Sequence, residues 1–581
     1  MATVASSTLS LDWTDVATVL CDDMSSSEDE GEEVKTNSEE EGEDEEESEE
    51  EEESLLQGLQ PLYLGRDATG WSKIELSPSL GPNKGNVSTH LPGPVGEARM
   101  AESIMECWNL FVSDDILQIV VQYTNEQIKR IQSKFKRERD AKLTDLVEIK
   151  ALVGILYLTG CKKLNKCNAA EIWTSDGTGL EVVRTVMSEK RFRFLLVCLR
   201  FDDKNTRKKR LQTDKLAAVR DIIDPFVEGC RKNYCISEFC TIDEKLEGFK
   251  GKCGFIRYMP KKPNKYGIEI FMLVDSRMYY THNLEIYCGK QPEGPYSVSN
   301  SPEEVVKRLT KHIAGSGRNV TMDNRFTSFK LAMDLLKEKL TMVGTIRKHH
   351  RVIPKKFLDL AGRKIPSSMF GFREDATLVS YVPKKNKNVL LLSSMHHSGS
   401  IDQKTGSKQK PEIVTFYNMT KAGVDTVDHM TGAYSCARTT RRWPMIIFCC
   451  MLNIAGINSQ IIHQSNGNCS RVSSRREYLK SLALELMYEQ IDRSKLIISL
   501  PTDIRISAER IRPSRPEVRP KISKESPNPR KLEKRGRCKE CGRKKDNKTR
   551  RRCMKCETFL CPDHLMHVCK HCFERKRKDF N

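Results

Sequence analysis

Apolar residues first recur with a helical period in the second hundred residues of the chain. In SDDILQIVVQYTNEQIKRIQ, Ser113 is a suitable N-cap. Four side chains of this segment share one helical face: Ile116, Ile119, Val120 and Tyr123. TDLVEIKALVGILYLTG repeats the pattern, with Thr144 as the cap and Gly160 as the stop signal. Residues 188–201 and 214–229 predict further helices.

The pattern then changes to short runs of β-forming residues separated by Gly, Pro or Asn. The segment FTSFKLAMDLLKEKL, between the fourth and fifth runs, predicts a helix. Three strands followed by strand, helix and strand predict a mixed α/β sheet covered by helices. The five runs are residues 238–243, 267–275, 278–288, 318–322 and 341–347.

An irregular segment interrupts this pattern at residues 350–415. It contains Pro354, Pro366 and Pro383 and two β-like runs, TLVSYV and NVLLLSS, and is predicted to be an insertion. Helical periodicity returns from Gly423 to about residue 464 and again over residues 475–499. A linker rich in Pro, Lys and Arg follows at residues 501–536.

Composition indicates a soluble protein of several domains. The chain has 581 residues, of which 38% are apolar and 30% are charged. Its N-terminus lacks the basic start and apolar run of a signal peptide. The most apolar window, MIIFCCMLNIAGI, is too short to span a bilayer and is interrupted by Asn453, so membrane insertion is not expected.

Charge divides the chain into an acidic arm and a basic body. Residues 1–100 hold 5 Lys/Arg and 25 Asp/Glu, a net charge of −20, so the other residues carry +38 of a total of +18. The arm, with EEEGEDEEESEEEEE at residues 39–53, is predicted to be disordered because it cannot bury enough apolar surface. The body favours a polyanion as partner. The alternative is that its Lys and Arg only solvate the surface.

The cysteines indicate a reducing compartment and a metal site. Of 21 Cys, 14 are scattered and 7 lie in the last 44 residues. The terminal cluster provides eight ligands in closely spaced pairs, enough for two tetrahedral zinc sites, and His567 and His571 are spare candidates. The eight are Cys538, Cys541, Cys553, Cys556, Cys561, His564, Cys569 and Cys572.

Four acidic residues stand at positions suited to metal binding. Asp243 is expected at the end of the first strand and Asp323 at the end of the fourth, while Asp425 and Asp428 share one face at a helix start. Carboxylates that converge in a buried place need a cation, and Mg²⁺ prefers such oxygen ligands. The alternative is that each strand-end Asp is a cap or turn residue.

Several long blocks of sequence resemble, in order, the signature blocks of piggyBac-type DNA transposases. The resemblance covers residues 240–460, with a weaker helical part from about residue 100. The blocks are IDEKLEGFKGKC, PKKPNKYGIEIFMLVDS, MDNRFTS, VGTIR, LVSYVPK, MTKAGVDTVDHM and TTRRWPMIIFCCMLNIAGINS.

The resemblance implies catalysis by Asp243, Asp323 and Asp425 with two Mg²⁺ or Mn²⁺ ions, and an important acidic position at Asp428. Family members cut DNA at transposon ends, form a hairpin and join the ends at TTAA. Candidate DNA-contact residues are Trp443, Arg441, Arg442 and Arg325. The alternative for Trp443 is a core residue at a helix start, and the family commonly has an aromatic residue at the position of Arg325.

The C-terminal cluster resembles the cross-brace zinc finger of the same transposases. This resemblance implies one zinc bound by Cys538, Cys541, Cys561 and His564, and another bound by Cys553, Cys556, Cys569 and Cys572. In the family the finger binds subterminal transposon DNA, and the basic runs around it support phosphate contact and nuclear import. Binding of histone tails is the alternative.

The implied fold is a multidomain α/β protein whose RNase H-like core carries an insertion domain. An all-α dimerisation and DNA-binding region flanks this core. Eight predicted segments follow one another along the chain. They are the disordered acidic arm (1–98), the first helical part (99–237), the first part of the core (238–349), the insertion domain (350–415), the second part of the core (416–435), the second helical part (436–500), the basic linker (501–536) and the zinc finger (537–581).

The predicted function is metal-dependent cut-and-paste DNA transposition by a nuclear homodimer acting on double-stranded DNA. One alternative is a domesticated, sequence-specific DNA-binding protein without strand-transfer activity. Another is a chromatin reader that acts through the finger alone. The complete set of aspartates favours the enzyme.

Overall fold

The structure is a computed structural model in which the chain forms two compact units, Met1–Arg512 and Pro513–Asn581. The described residues are 62–76, 91–260, 262–467, 474–512, 536–541, 545, 547–549, 551–552 and 558–564.

The strands are numbered in chain order. They are β1 (Leu62–Leu64), β2 (Gly70–Ser72), β3 (Gly93–Pro94), β4 (Tyr234–Cys235), β5 (Phe239–Gly248), β6 (Arg257–Tyr258), β7 (Tyr266–Asp275), β8 (Thr281–Ile286), β9 (Asn319–Met322), β10 (Thr341–Thr345), β11 (Ser367–Phe372), β12 (Thr377–Lys384), β13 (Lys387–Ser393), β14 (Gly536–Arg537) and β15 (Lys548–Thr549).

The α-helices are numbered in the same way. They are α1 (Ile104–Asn109), α2 (Asp114–Gln132), α3 (Leu146–Cys161), α4 (Ala169–Trp173), α5 (Glu181–Val186), α6 (Glu189–Cys198), α7 (Lys204–Arg210), α8 (Arg220–Lys232), α9 (Pro302–Thr310), α10 (Phe329–Lys337), α11 (Lys355–Leu358), α12 (Glu412–Thr420), α13 (Gly423–Ala433), α14 (Trp443–Ser465), α15 (Arg475–Lys495) and α16 (Thr502–Ile511).

Eleven strands form one mixed sheet, in the order β1-β2-β11-β12-β13-β10-β9-β5-β7-β6, with β8 paired to β7. Strand β9 is parallel to both of its neighbours, β10 and β5. The other pairings in this sheet are antiparallel. The mixed α/β sheet predicted from the sequence is therefore confirmed, and its five predicted strands correspond to β5, β7, β8, β9 and β10.

The segment predicted as an insertion continues this sheet. Strand β13 pairs with β10 in antiparallel register, with Val343 opposite Ser393, and β12 and β11 extend the sheet further. Buried apolar residues of β10, β12 and β13 form a small core with Ile413 and Val414 of α12. The predicted insertion therefore shares both hydrogen bonds and a core with the strands beside it.

The prediction of a disordered arm over residues 1–98 is wrong for residues 62–76. These residues form the β1–β2 hairpin, which joins the sheet at Ser72 opposite Phe372. Trp71 is fully buried, and its Nε1 donates a hydrogen bond to the carbonyl of Val352 at 2.9 Å. The acidic run at residues 39–53 lies outside the described residues.

Helix caps explain where two of the predicted helices begin. Ser113 caps α2 as predicted, since its side chain accepts a hydrogen bond from the amide of Ile116. The predicted cap Thr144 is wrong, because the N-cap of α3 is Asp145, which accepts a hydrogen bond from the amide of Glu148.

The two helical parts of the chain share one core. Trp108 of α1 donates a hydrogen bond to the hydroxyl of Tyr157 of α3 at 3.0 Å, and that hydroxyl donates in turn to the carbonyl of Leu452 in α14. Helix α14 is the one described helix long and apolar enough to cross a membrane, and its apolar window is entirely buried inside the protein. Such burial is expected of a core helix.

Candidate active site and metal centres

Strand register places Asp243 beside Asp323. Strands β5 and β9 are parallel, and Ile242 is paired with Met322. The next residues, Asp243 and Asp323, therefore lie at the same level of the sheet. Strand β9 ends at Met322, so Asp323 follows its strand as predicted. Asp243 does not end its strand, as the sequence predicted, because β5 continues to Gly248.

Two threonines hold the end of α12, and with it the start of α13, against the same face of the sheet. Thr241 and Thr321 lie two residues before the aspartates, so all four side chains point to one side. The hydroxyl of Thr241 donates to the carbonyl of Thr420 at 2.6 Å, and Thr321 Oγ1 lies 2.7 Å from Thr420 Oγ1. Because Thr420 ends α12, the start of α13 lies on the carboxylate face.

Helix α13 is held against β5 at two points. A Cβ atom on Gly423 would lie only 2.7 Å from Thr241 Oγ1, so only glycine permits this approach without a shift. One turn and a half later, Asp428 Oδ1 pairs with Lys245 Nζ at 2.6 Å. Lys245 is 3% exposed and also pairs with Glu247 at 2.8 Å.

Asp425 lies on α13 between these two contacts. Its side chain is 68% exposed, and its Oδ1 lies 4.0 Å from Lys262 Nζ. Tyr417 of α12 faces the same region: burial raises its pKa, and the negative charges of Asp323, Asp243 and Asp425 raise it further. The charges of all three predicted catalytic aspartates therefore act on one side chain.

Asp428 is engaged differently from the other three aspartates. Burial lowers the pKa of Lys245, but the charges of Glu247 and Asp428 outweigh this and hold that pKa above its ordinary value. Asp428 thus serves as the partner of a buried ammonium that fixes α13 on β5. In this structure its contact is a positioning one, and its predicted role in the family's reaction stays a prediction.

The closest group of carboxylates is Asp243, Glu244 and Asp323, one oxygen of each lying within 4.8 Å of the others. Burial raises the pKa of Asp243 to about 9, and the charges of Glu244 and Asp323 contribute to the rise. The pKa of Asp323 is also raised, mainly by burial. Ionised carboxylates at this place therefore require a counter-cation.

The residues present fit a hard divalent cation. Glu244 Oε2 is buried and has no hydrogen-bond partner among the described atoms. An unpartnered carboxylate oxygen beside two other acids provides the ligand type that Mg²⁺ or Mn²⁺ prefers. Asp243, Glu244 and Asp323 would hold such an ion, and the exposed Asp425 stands at its open side.

Glu244 is the functional candidate that the sequence analysis missed. Alternation along β5 turns its side chain to the face opposite Asp243, where it stands across from Phe271. Because β9 ends at Met322, strand β5 has no neighbour on that side beyond Asp243, and Glu244 reaches the other acids around this open edge. Its place directly after Asp243 in IDEK was the available signal.

Two of the arginines predicted to contact DNA are engaged within the protein. Arg325 forms an ion pair with the buried carboxylate of Glu269. Arg442 donates hydrogen bonds to the carbonyls of Leu196, Val197 and Leu199, which close the C-terminal end of α6. The partly buried guanidinium of Arg442 satisfies carbonyls that the helix leaves free, and its contact with DNA stays a prediction.

The other two candidates remain open to solvent to different degrees. Arg441 is exposed. Trp443 is partly buried and packs edge-on against Phe255, with ring centroids 5.1 Å apart. This packing agrees with the core alternative for Trp443, and its contact with DNA stays a prediction.

The first predicted zinc site is assembled in the described part of the C-terminal unit. The ligand atoms of Cys538, Cys541, Cys561 and His564 lie within 4.8 Å of one another. Cys541 Sγ is 3.6 Å from Cys561 Sγ and 3.5 Å from His564 Nδ1. Tetrahedral zinc with Zn–S bonds of about 2.3 Å places sulfurs roughly 3.8 Å apart, so the group fits this ion.

The second predicted zinc site is not described. Cys553, Cys556, Cys569 and Cys572, with the spare candidates His567 and His571, lie outside the described residues. That site, and the pairing of ligands within it, stays a prediction.

The fold and the carboxylate group together define a class of protein, an α/β protein with a candidate divalent-metal site beside the parallel strands β5 and β9. A family model described as transposase IS4 matches residues 103–460. A cryo-EM structure of the piggyBac transposase synaptic complex with hairpin DNA is similar, with a TM-score of 0.69 and 36% sequence identity, over 83% of this chain and 100% of that chain. The chain therefore belongs to the transposase IS4 family and, within it, to the piggyBac type.

Two human relatives are more distant. PiggyBac transposable element-derived protein 3 is 22% identical over 395 residues, which are 65% of this chain and 64% of that protein. PiggyBac transposable element-derived protein 5 is 21% identical over 266 residues, or 44% of this chain and 49% of that protein. The chain thus spans about half to just under two thirds of these relatives.

Proposed function

We propose that this protein is a metal-dependent DNA transposase that excises an element and joins it to TTAA sites through a hairpin intermediate. The observation that carries the proposal is the meeting of Asp243 and Asp323 at adjacent positions of parallel strands, with Asp425 on a helix fixed against the same face. The structure that this chain resembles is of a piggyBac transposase bound to hairpin DNA, which supports the same substrate.

The residues of the site would act by holding metal ions in place. Two divalent ions would activate the attacking oxygen and stabilise the leaving oxygen of a phosphodiester. Asp243 and Asp323 would bind in their ionised forms, which their burial disfavours until a cation arrives. Lys245 and Asp428 hold α13 in place, so Asp425 is presented at the open side where DNA would enter.

The remaining parts of the protein would bind DNA and direct the protein to its compartment. The +38 charge of the chain beyond residue 100 would attract the DNA backbone. By the family resemblance, the molecule would work as a homodimer, the finger would bind subterminal transposon DNA, and Trp443 would stand near the hairpin. The basic runs around the finger would direct the protein to the nucleus.

The test is an excision assay with DNA that flanks the protein's own gene. Asp243→Asn and Asp323→Asn should each reduce excision at least about a hundredfold, because each removes a ligand charge from the metal site. Both variants should still shift the same DNA in a gel. The matched control is Asp359→Asn, an exposed aspartate that should leave excision unchanged.

The same assay decides the alternative of a domesticated DNA-binding protein. The two human relatives are named as transposable element-derived proteins, which favours testing this alternative. An unmutated chain that binds matched transposon ends but never cuts them, with Mg²⁺ or Mn²⁺ present, would reject the proposed transposase and support this second function.

A further inference from the structure

The loop between β6 and β7 brings a lysine to the edge of the carboxylate group. The loop is closed by a hydrogen bond from the amide of Met259 to the carbonyl of Lys265 at 2.8 Å. Within it, the amide of Lys262 donates to the carbonyl of Met259 at 3.1 Å. From this loop the side chain of Lys262 reaches the backbone of β5.

The ammonium of Lys262 is anchored between two elements of the site. Its Nζ donates to the carbonyl of Glu244 on β5 at 2.9 Å and lies 4.0 Å from Asp425 Oδ1 on α13. The side chain is 23% exposed, so it is partly withdrawn from water. The positive charge therefore stands between the backbone of Glu244 and the carboxylate of Asp425.

Other cations near the site include Arg325 and Arg347, whose positive charges oppose the rise in the pKa of Asp323. Arg325 pairs with Glu269, and Lys245 pairs with Asp428 and Glu247. Among the described residues Lys262 has no such close pair, since the hydrogen bond of its ammonium is to a carbonyl and its carboxylate contact is at 4.0 Å. A cation held by weak contacts at an acidic site can leave when a stronger cation arrives.

We propose that Lys262 is an internal counter-cation of the metal-free site, which divalent metal must displace from Asp425 in order to bind. The inference rests on the proposed function only in taking Asp425 as a ligand of the incoming metal. An ammonium a few Å from a divalent ion repels it, so Lys262 weakens metal binding and reserves full loading for conditions that move its side chain away.

The test measures metal affinity by following Mn²⁺ binding with electron paramagnetic resonance. The zinc-loaded full-length chain is titrated with Mn²⁺ in the absence of DNA. Lys262→Met should bind Mn²⁺ roughly tenfold more tightly than the unmutated chain, because a repelling charge has been removed. Lys262→Arg, which keeps the charge, should bind like the unmutated chain.

The matched control is Lys265→Met, which removes the same charge from an exposed position of the same loop. It should leave Mn²⁺ affinity unchanged, which would separate a local effect from a change in net charge. Asp243→Asn combined with Lys262→Met should lose the gain in affinity, which would locate it at this site.

An Mn²⁺ affinity that is unchanged or weaker in Lys262→Met would overturn the inference, as would an equal gain in Lys265→Met. A lysine that only supports the loop would lower affinity when removed, so the direction of change distinguishes the two roles. The readout needs no DNA cleavage. Tighter Mn²⁺ binding by a variant of a chain that cuts no DNA would uphold this inference and reject the proposed transposase separately.

Discussion

Asp243 is a carboxyl group that the fold keeps away from water and beside other acids. Burial, followed by the charges of Glu244 and Asp323, raises its pKa to about 9. The unfolded chain, in which an aspartate has a pKa of about 4, releases this proton much earlier. Folding without metal therefore takes up a proton at neutral pH, and stability must depend on pH.

We predict that the melting temperature of zinc-loaded protein without other divalent metal falls as the pH rises from about 5 to 9, the range between the unfolded and folded pKa values of Asp243. Asp243→Asn should flatten this dependence, because the amide has no proton to lose. Thermal melts followed by circular dichroism at each pH give the measurement. Parallel curves for the two proteins would show that Asp243 is not protonated in the fold.

Lys245 is a buried ammonium that depends on its two carboxylate partners. We predict that Lys245→Met lowers the free energy of unfolding by about 3 kcal/mol, because it leaves carboxylates without a counter-charge. Asp428→Asn should cost less, since Glu247 remains 2.8 Å from the ammonium. Urea denaturation of both single variants and the double variant measures the coupling. Strictly additive losses would mean that the pair contributes nothing.

At the level of elements, the long periodic segments could be predicted from the sequence and the short ones could not. Helix α2 and strand β7 carry enough apolar residues in one period to fix their type. Strands β1 and β2 have three residues each, and their pairing is stabilised by the burial of Trp71 against a segment far along the chain. Local composition around them indicated disorder instead.

The candidate site was predictable in part for a similar reason. The strand end at Asp323 and the helix start at Asp425 were marked correctly, and Asp243 was singled out although β5 continues beyond it. Glu244 was missed because period-two alternation turns its side chain away from that of Asp243, and its place directly after Asp243 was the available signal. The N-cap of α3 also could not be identified from the neighbouring residues alone. Asn125 bonds both backbone groups of Thr144 and leaves Asp145 as the cap.

The β1–β2 hairpin gives a prediction for truncated proteins. Removal of residues 1–61 should leave the melting temperature unchanged, because the described contacts with the sheet begin at Leu62. Removal of residues 1–76 should lower it clearly, since loss of a buried Trp alone costs about 3–5 kcal/mol. Differential scanning calorimetry of the two truncations makes the comparison. Equal melting temperatures would show that the hairpin does not stabilise the sheet.

At the scale of the whole molecule, we expect the C-terminal unit to bind its own metal ions. We predict that the purified chain contains two zinc ions and that Cys541→Ser retains about one, because the two predicted sites share no ligand. Elemental analysis by mass spectrometry measures the content. Cys167→Ser, outside the cluster, is the control and should keep both ions. A content unaffected by Cys541→Ser would reject the assigned ligand set.

The fit of Gly423 against Thr241 means that the spacing between helix and sheet depends on the absence of a single carbon atom. Alanine favours helices more than glycine does, so a methyl group here would strengthen α13 while wedging it outward. Such a protein would keep its first two aspartates in place and withdraw the third. One methyl group would thus separate the third aspartate from the other two and leave the molecule well folded.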